Sequence, residues 1–152
     1  MKLSTKGRYG LRAMVDIAYY GKGQPVSITN ISSRQNITVR YLEQLLGKLR
    51  KAGLIQSIRG AQGGYILAKP ADEISVGAIL RALEGDLTPV ACSEITGDEG
   101  KCSGANSCVT KYVWKRINDS IQKTVDSIWL SELVEDNNKM EQMSNIDRPC
   151  ES

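Results

Sequence analysis

Apolar residues recur every three or four positions through the first half of the chain, and this spacing predicts a series of short helices. Leu11, Met14, Val15 and Ala18 put one apolar face on a helix from Arg8 to Tyr20, stopped by Gly21 and Gly23. Pro25 and Ser27 open a second, shorter helix with Ile28 and Ile31 inward, and Ser27 is of the type that caps a helix start. Asn36 marks a turn. Thr38 then caps a third helix to about Ala52, with Val39, Leu42, Leu45, Leu46 and Leu49 inward and Gly53 at its end. Here the pattern changes. Leu54-Ile55-Gln56-Ser57-Ile58 and Tyr65-Ile66-Leu67 flank the glycine-rich Arg59–Gly64 stretch and read as a hairpin closed by Pro70. Ser75 caps a fourth helix through Glu84, with Val76, Ile79, Leu80 and Leu83 on one side. Two helices joined by a tight turn and followed by a hairpin make a winged helix-turn-helix.

The second half follows different rules. Leu87 to Ser107 is rich in Gly, Ser, Asp and Glu, and a loop of that length needs something to order it. From Val109 a long amphipathic helix is predicted, because Val113, Ile117, Ile121, Val125 and Ile128 repeat at helical spacing. A small domain cannot easily cover so long a stripe, and a second copy of the chain is its natural cover. A brief helix from Ser131 to Val134 is expected next, with frayed polar chain from Glu135. The expected fold class is thus mainly α (α+β), a winged helix-turn-helix domain followed by a long dimerisation helix. The expected organisation is a DNA-binding domain at 1–86, a cysteine loop at 87–108, the dimerisation and short helices at 109–135 and a disordered tail at 136–152.

Composition narrows the function. Of 152 residues, 41% are apolar and 24% charged, as in ordinary globular proteins. The absence of His removes Ser–His–Asp triads, Cys–His dyads and HExxH zinc sites, so an enzyme is not expected. No apolar run approaches the ~20 residues of a membrane span, and the basic start has no signal-peptide core behind it. A cytoplasmic protein with no membrane partner is expected. Residues 1–70 carry twelve Lys and Arg against Asp16 and Glu43 alone, while residues 71–152 carry eight bases against fifteen acids. A cationic half of this density points to nucleic acid.

Two groups of residues carry candidate chemistry. On the third helix, Thr38, Arg40, Tyr41, Glu43 and Gln44 are left facing outward once the apolar positions are subtracted. Arg40 suits guanine or phosphate and Gln44 adenine; Glu43 can accept from cytosine N4 or pair within the helix with Arg40 or Lys48. Arg59 at the hairpin tip suits a narrow minor groove, Gly60 allows close approach, and Ser27 and Thr38 sit at helix starts that favour phosphate. Two copies on a pseudo-palindromic double-stranded site would supply the affinity one copy lacks. The second group is Cys92, Cys102 and Cys108, spaced C-x9-C-x5-C, with Cys150 far off. The spacing favours an iron–sulfur cluster, with zinc, a thiol switch and inert cysteines as alternatives.

The segments "MKLSTKGRYGLRAMVDIA", "ITVRYLEQLLGKLRKAGLIQSIRGAQGGYILAKP" and "ISVGAILRALEGDLTPVAC" resemble the Rrf-type winged-helix transcription regulators, within them the iron–sulfur cluster regulator (IscR-like) branch. The resemblance runs from Met1 to about Val134. It implies a homodimeric repressor or activator whose helices cross to form the dimer, controlling iron–sulfur cluster biogenesis or related stress genes. It implies Cys92, Cys102 and Cys108 as ligands of a cluster, [2Fe–2S] before [4Fe–4S], with Thr38, Arg40, Glu43 and Gln44 in the major groove and Arg59 and Gly60 in the minor groove. The chain departs from the family pattern in the nine-residue gap between its first two cysteines. Lys111 stands where relatives often have a ligating His, and Arg8 where some have an acid. The fourth ligand is left open among Glu94, Asp98, Glu99, Asn106, Cys150 and a solvent thiol. The alternative is a cluster-free regulator, for example of cysteine or sulfur metabolism, responding to a partner protein or metabolite.

Overall fold

The computed structural model describes residues 3–92 and 108–146. Helix α1 spans Thr5–Gly21, one turn earlier than its apolar stripe predicts. Two polar groups account for the early start. Ser4 Oγ accepts from the Lys6 N–H (3.2 Å). Glu84, far along the chain, accepts from the Ser4 N–H (2.9 Å), the Ser4 hydroxyl (2.6 Å) and the Gly7 N–H (2.8 Å). These are donors that a helix start otherwise leaves unpaired. Helix α2 (Ile28–Gln35) is capped by Ser27, which accepts from the Asn30 N–H, and ends at Asn36 in the left-handed region (φ 54°). Helix α3 (Val39–Lys51) is capped by Thr38.

Strands β1 (Ile55–Ile58) and β2 (Gly64–Leu67) pair antiparallel, with Ile55 opposite Leu67 and Ile58 opposite Gly64. Val26, just before α2, adds a further rung by exchanging two 2.9 Å hydrogen bonds with Tyr65. That rung needs Gly64, because a Cβ there would run into the Val26 carbonyl. The hairpin is thereby fixed to the start of α2 and does not swing freely. A 3-10 turn at Ala71–Glu73 leads to α4 (Val76–Glu84), capped by Ser75.

The core lies among α1, α2, α3 and α4. Met14, Ile17, Ile31, Leu42, Leu45, Leu46, Leu49, Ile55, Ile74 and Ile79 are each at most 2% exposed. Each such side chain contributes roughly 1.5–3 kcal/mol on burial. Gly10 lets α1 lie directly on α4, since a Cβ there would collide with Leu83. Asp16 is also buried in this core, and Arg34 of α2 holds it in a two-pronged salt bridge (Nε to Oδ2 3.0 Å, Nη2 to Oδ1 2.7 Å). Gln35 donates a third bond to it (2.8 Å), and the Arg34 guanidinium lies over the Tyr20 ring at 4.0 Å.

The last two helices revise the expectations for the C-terminal part. Helix α5 (Lys111–Ser127) ends before Ile128, and α6 runs Leu130–Ile146. The residues between them pair with the chain ahead of α4: Val76 N–H donates to the Ile128 carbonyl and Leu130 N–H to the Ile74 carbonyl, both at 2.8 Å. Leu130 is driven fully into the core. The predicted four-residue helix after Ser131 and the frayed chain from Glu135 are therefore corrected: one continuous helix persists to Ile146. Its own amphipathicity is weak, and packing on α1 stabilises it. Leu133 lies against the core, and Glu141 accepts from the hydroxyls of Tyr19 (2.6 Å) and Tyr20 (2.9 Å).

Candidate nucleic-acid interface and cysteine site

Helix α3 buries Leu42, Leu45, Leu46 and Leu49 on one side, which leaves Arg40, Glu43 and Gln44 exposed on the other. Among the described residues Glu43 forms no ion pair with Arg40 or Lys48, so the intrahelical pairing expected as one option is not made. Thr38 Oγ1 accepts from the Tyr41 N–H (3.3 Å), which caps the helix, and the Thr38 residue is exposed. Two residues of the first turn of α3 sit differently from expectation. Tyr41 is half-buried: its ring meets Tyr9 edge-on at 6.1 Å and its hydroxyl lies 3.0 Å from Thr5 Oγ1. Val39, expected inward, is only half-covered. At the first turn of α3 an aromatic ring offers more area to α1 than Val39 can, and it takes the inward place. Tyr41 thus ties the start of α3 to the start of α1.

The hairpin carries Arg59 and Gly60 to its exposed tip. Gly60 is in a backbone conformation (φ 114°) that other residues rarely adopt, and its carbonyl accepts from Gly63 N–H (3.0 Å) to close the turn. Ser27 stands at the junction of hairpin and α2, its Oγ 3.2 Å from Thr29 Oγ1. Ser27, Thr38, Arg40, Glu43, Gln44, Arg59 and Gly60 thus belong to α2, α3 and a hairpin that are locked together through Val26–Tyr65 and the shared core. The buried Asp16–Arg34 pair was not anticipated. Its signal is a lone acid between Met14 and Ile17, on the apolar face of the first helix.

Of the four cysteines, Cys92 and Cys108 are described and both are half-buried; Cys102 and Cys150 lie outside the described residues, as do Glu94, Asp98, Glu99 and Asn106. Cys92 follows α4, and its N–H donates to the Val90 carbonyl (3.0 Å). Cys108 stands at the entry to α5, with Sγ 3.1 Å from Thr110 Oγ1. The Thr110 hydroxyl, then the Lys111 N–H, hold its thiol below the ordinary value, which favours the thiolate that soft metals require. Among the described residues no three metal-ligating side chains come together. Lys111 directs its ammonium over the Tyr112 ring (5.2 Å), and Arg8 is exposed beside a groove between α1 and α6. Among the described residues no helix is long and apolar enough to cross a membrane.

A winged helix-turn-helix with a cationic reading face defines a class, the DNA-binding transcription regulators, and this protein is one of them and not an enzyme. Residues 3–136 match the Rrf2 family, described as iron-dependent transcriptional regulators, and the chain belongs to that family. It is 43% identical over 150 residues to the HTH-type transcriptional regulator IscR of Aliivibrio salmonicida, covering 97% of this chain and 86% of that protein. It is 41% identical over 141 residues to IscR of Yersinia pseudotuberculosis, covering 93% and 84%. Among solved structures it is similar to T. potens IscR (TM-score 0.70, 44% identity, 90% of this chain and 88% of that one). It is similar also to CymR (YrzC), the global cysteine regulator of B. subtilis (TM-score 0.73, 39% identity, 89% and 97%).

Proposed function

We propose that two copies of this chain bind a pseudo-palindromic double-stranded site, and that an iron–sulfur cluster held by Cys92, Cys102 and Cys108 modulates that binding. On this reading Thr38, Arg40, Glu43 and Gln44 meet base edges in the major groove, Arg59 and Gly60 enter the minor groove, Ser27 meets phosphate beside them, and Tyr41 borders the duplex while holding the start of α3 against α1. The cluster is a [2Fe–2S] centre, and the genes controlled are those of iron–sulfur cluster biogenesis or related stress responses. The observation that carries the dimer is α5. No residue of that helix is buried, and Tyr112, Val113, Trp114 and Ile117 stay 63%, 50%, 37% and 41% exposed. So much apolar surface on one helix marks an interface. Ile117→Glu is expected to convert the dimer to a monomer in sedimentation velocity; an unchanged dimer would place the interface elsewhere.

The donor set fits the cofactor: Cys108 is biased toward thiolate and Cys92 is half-shielded from water. A bound cluster supplies a tie between the chain leaving α4 and the chain entering α5. The residues themselves set what that tie controls. Arg81 of α4 grips Asp126, near the far end of α5, through both of its carboxylate oxygens (2.6 and 3.0 Å), and this contact links α5 to the DNA-binding domain. The test is anaerobic reconstitution with iron and sulfide, followed by visible spectroscopy, iron analysis and DNA binding. Cys92→Ala and Cys108→Ala are expected to lose bound iron while remaining folded and dimeric. A second reading, a cluster-free regulator of cysteine or sulfur metabolism, draws on the likeness to CymR and on Lys111 in place of a ligand. A colourless protein whose DNA binding responds to a metabolite or partner protein would establish it over the first.

A further inference from the structure

The outward face of α3 holds a feature that base reading does not use. Gly47 lies in the interior of that helix, where glycine costs stability relative to alanine because more backbone must be ordered and no side chain packs. Elsewhere in the molecule a helical glycine has a visible purpose. Gly10 makes room for Leu83, and Gly7 makes room for Glu84. Gly47 has none: its φ is not in the positive region, and a Cβ built on it would meet nothing within 4 Å. The fold itself has no use for the missing methyl group, so the reason lies with something that approaches from outside.

What surrounds Gly47 identifies the visitor. Arg40, Gln44, Gly47 and Lys51 fall on one line along the exposed side of α3, three or four residues apart. Gly47 forms part of a notch of about 380 Å³ lined by Gln44, Lys48, Arg50 and Lys51. Three cations and an amide face it, and no carboxylate lines it; Glu43 is exposed one turn earlier, outside the lining. Lys48 and Lys51 continue into a neighbouring cleft with Lys6, whose carboxylate, Glu84, is engaged by Ser4 and Gly7. An anion that needs close backbone approach and meets several positive charges in a row matches the phosphodiester chain of duplex DNA.

We propose that this notch seats a DNA backbone phosphate against the bare helix at Gly47, with Lys48, Arg50 and Lys51 around it. The proposal rests on the reading that α3 faces the duplex, and adds a position that grips without reading sequence. The test uses the full chain and a fluorescent mixed-sequence duplex of about three helical turns, titrated over a salt series. Gly47→Ala is the decisive variant because it changes no charge. It is expected to raise the melting temperature by about 2–4 °C and to weaken binding at least about fivefold. Lys51→Ala is expected to lower the slope of log affinity against log salt by about one. If Gly47→Ala is more stable and binds as tightly as the parent while Arg40→Ala weakens binding, the seat is overturned and the reading of α3 stands. If neither variant affects binding, α3 does not face the duplex and both readings fall. A Gly47→Ala protein that melts lower would give the glycine a structural role and overturn the seat as well.

Discussion

Arg34 is the partner on which the buried carboxylate of Asp16 depends. The Asp16 side chain has no exposure, whereas that of Arg34 keeps 29%. Arg34→Leu removes two donors at 3.0 and 2.7 Å together with the stacking on Tyr20, and leaves Gln35 as the carboxylate's side-chain donor (2.8 Å). Removing one member of a buried pair costs about 3–5 kcal/mol, against about 0–1 for an exposed pair. Water reaches the Arg34 side of the bridge, so the cost belongs at the low end, about 3 kcal/mol. That is a large share of a total stability on the order of 5–15 kcal/mol. The double variant Asp16→Leu/Arg34→Leu removes the stranded charge and is expected to recover most of the loss. Urea unfolding followed by far-UV circular dichroism on the parent, both single variants and the double variant measures all four states. A cost for Arg34→Leu below about 1 kcal/mol, or a double variant no better than Arg34→Leu, would refute the claim that burial of Asp16 is what makes Arg34 matter.

Three further outcomes are expected. Gly10→Ala forces Leu83 aside in a filled core and should lower stability by about 1–3 kcal/mol in the same urea assay, with no change meaning that α1 and α4 are looser than described. The Ser4 hydroxyl, joined by the Gly7 and Ser4 N–H groups, holds the Glu84 carboxyl below the ordinary glutamate value of 4.5. Its contribution is therefore present above that value and lost as pH falls through the lower folded value. Glu84→Gln should flatten the acid side of a plot of melting temperature against pH, and an unchanged slope would remove Glu84 from the account. Arg59→Ala should weaken duplex binding by about 1–3 kcal/mol in an anisotropy titration, more on A·T-rich flanks. Equal affinity on all flanks would keep the wing out of the minor groove.

The candidate interface was legible in proportion to how local its causes are. Arg40, Glu43 and Gln44 face outward as the apolar spacing of α3 predicts, because four leucines on one side leave little choice for the other. Tyr41 was misplaced because periodicity counts polar positions and does not weigh a ring against a valine for the space beside Tyr9. Glu43 could have paired along its helix; nothing within that helix forbids it, and only the folded arrangement leaves it unpaired.

The caps at Ser27, Thr38 and Ser75, the stop at Gly53 and the hairpin around Arg59–Gly64 were determined by the chain alone, since each depends on atoms a few residues apart. Tertiary structure decided the rest. Helix α1 begins at Thr5 because Glu84, 77 to 80 residues away, takes the donors of its first turn. Helix α6 reaches Ile146 because Tyr19 and Tyr20 hold Glu141, and the hairpin is pinned because Gly64 admits the carbonyl of Val26. A helix end or a weakly amphipathic helix is nearly balanced between order and solvent, so a few bonds from a distant element settle it.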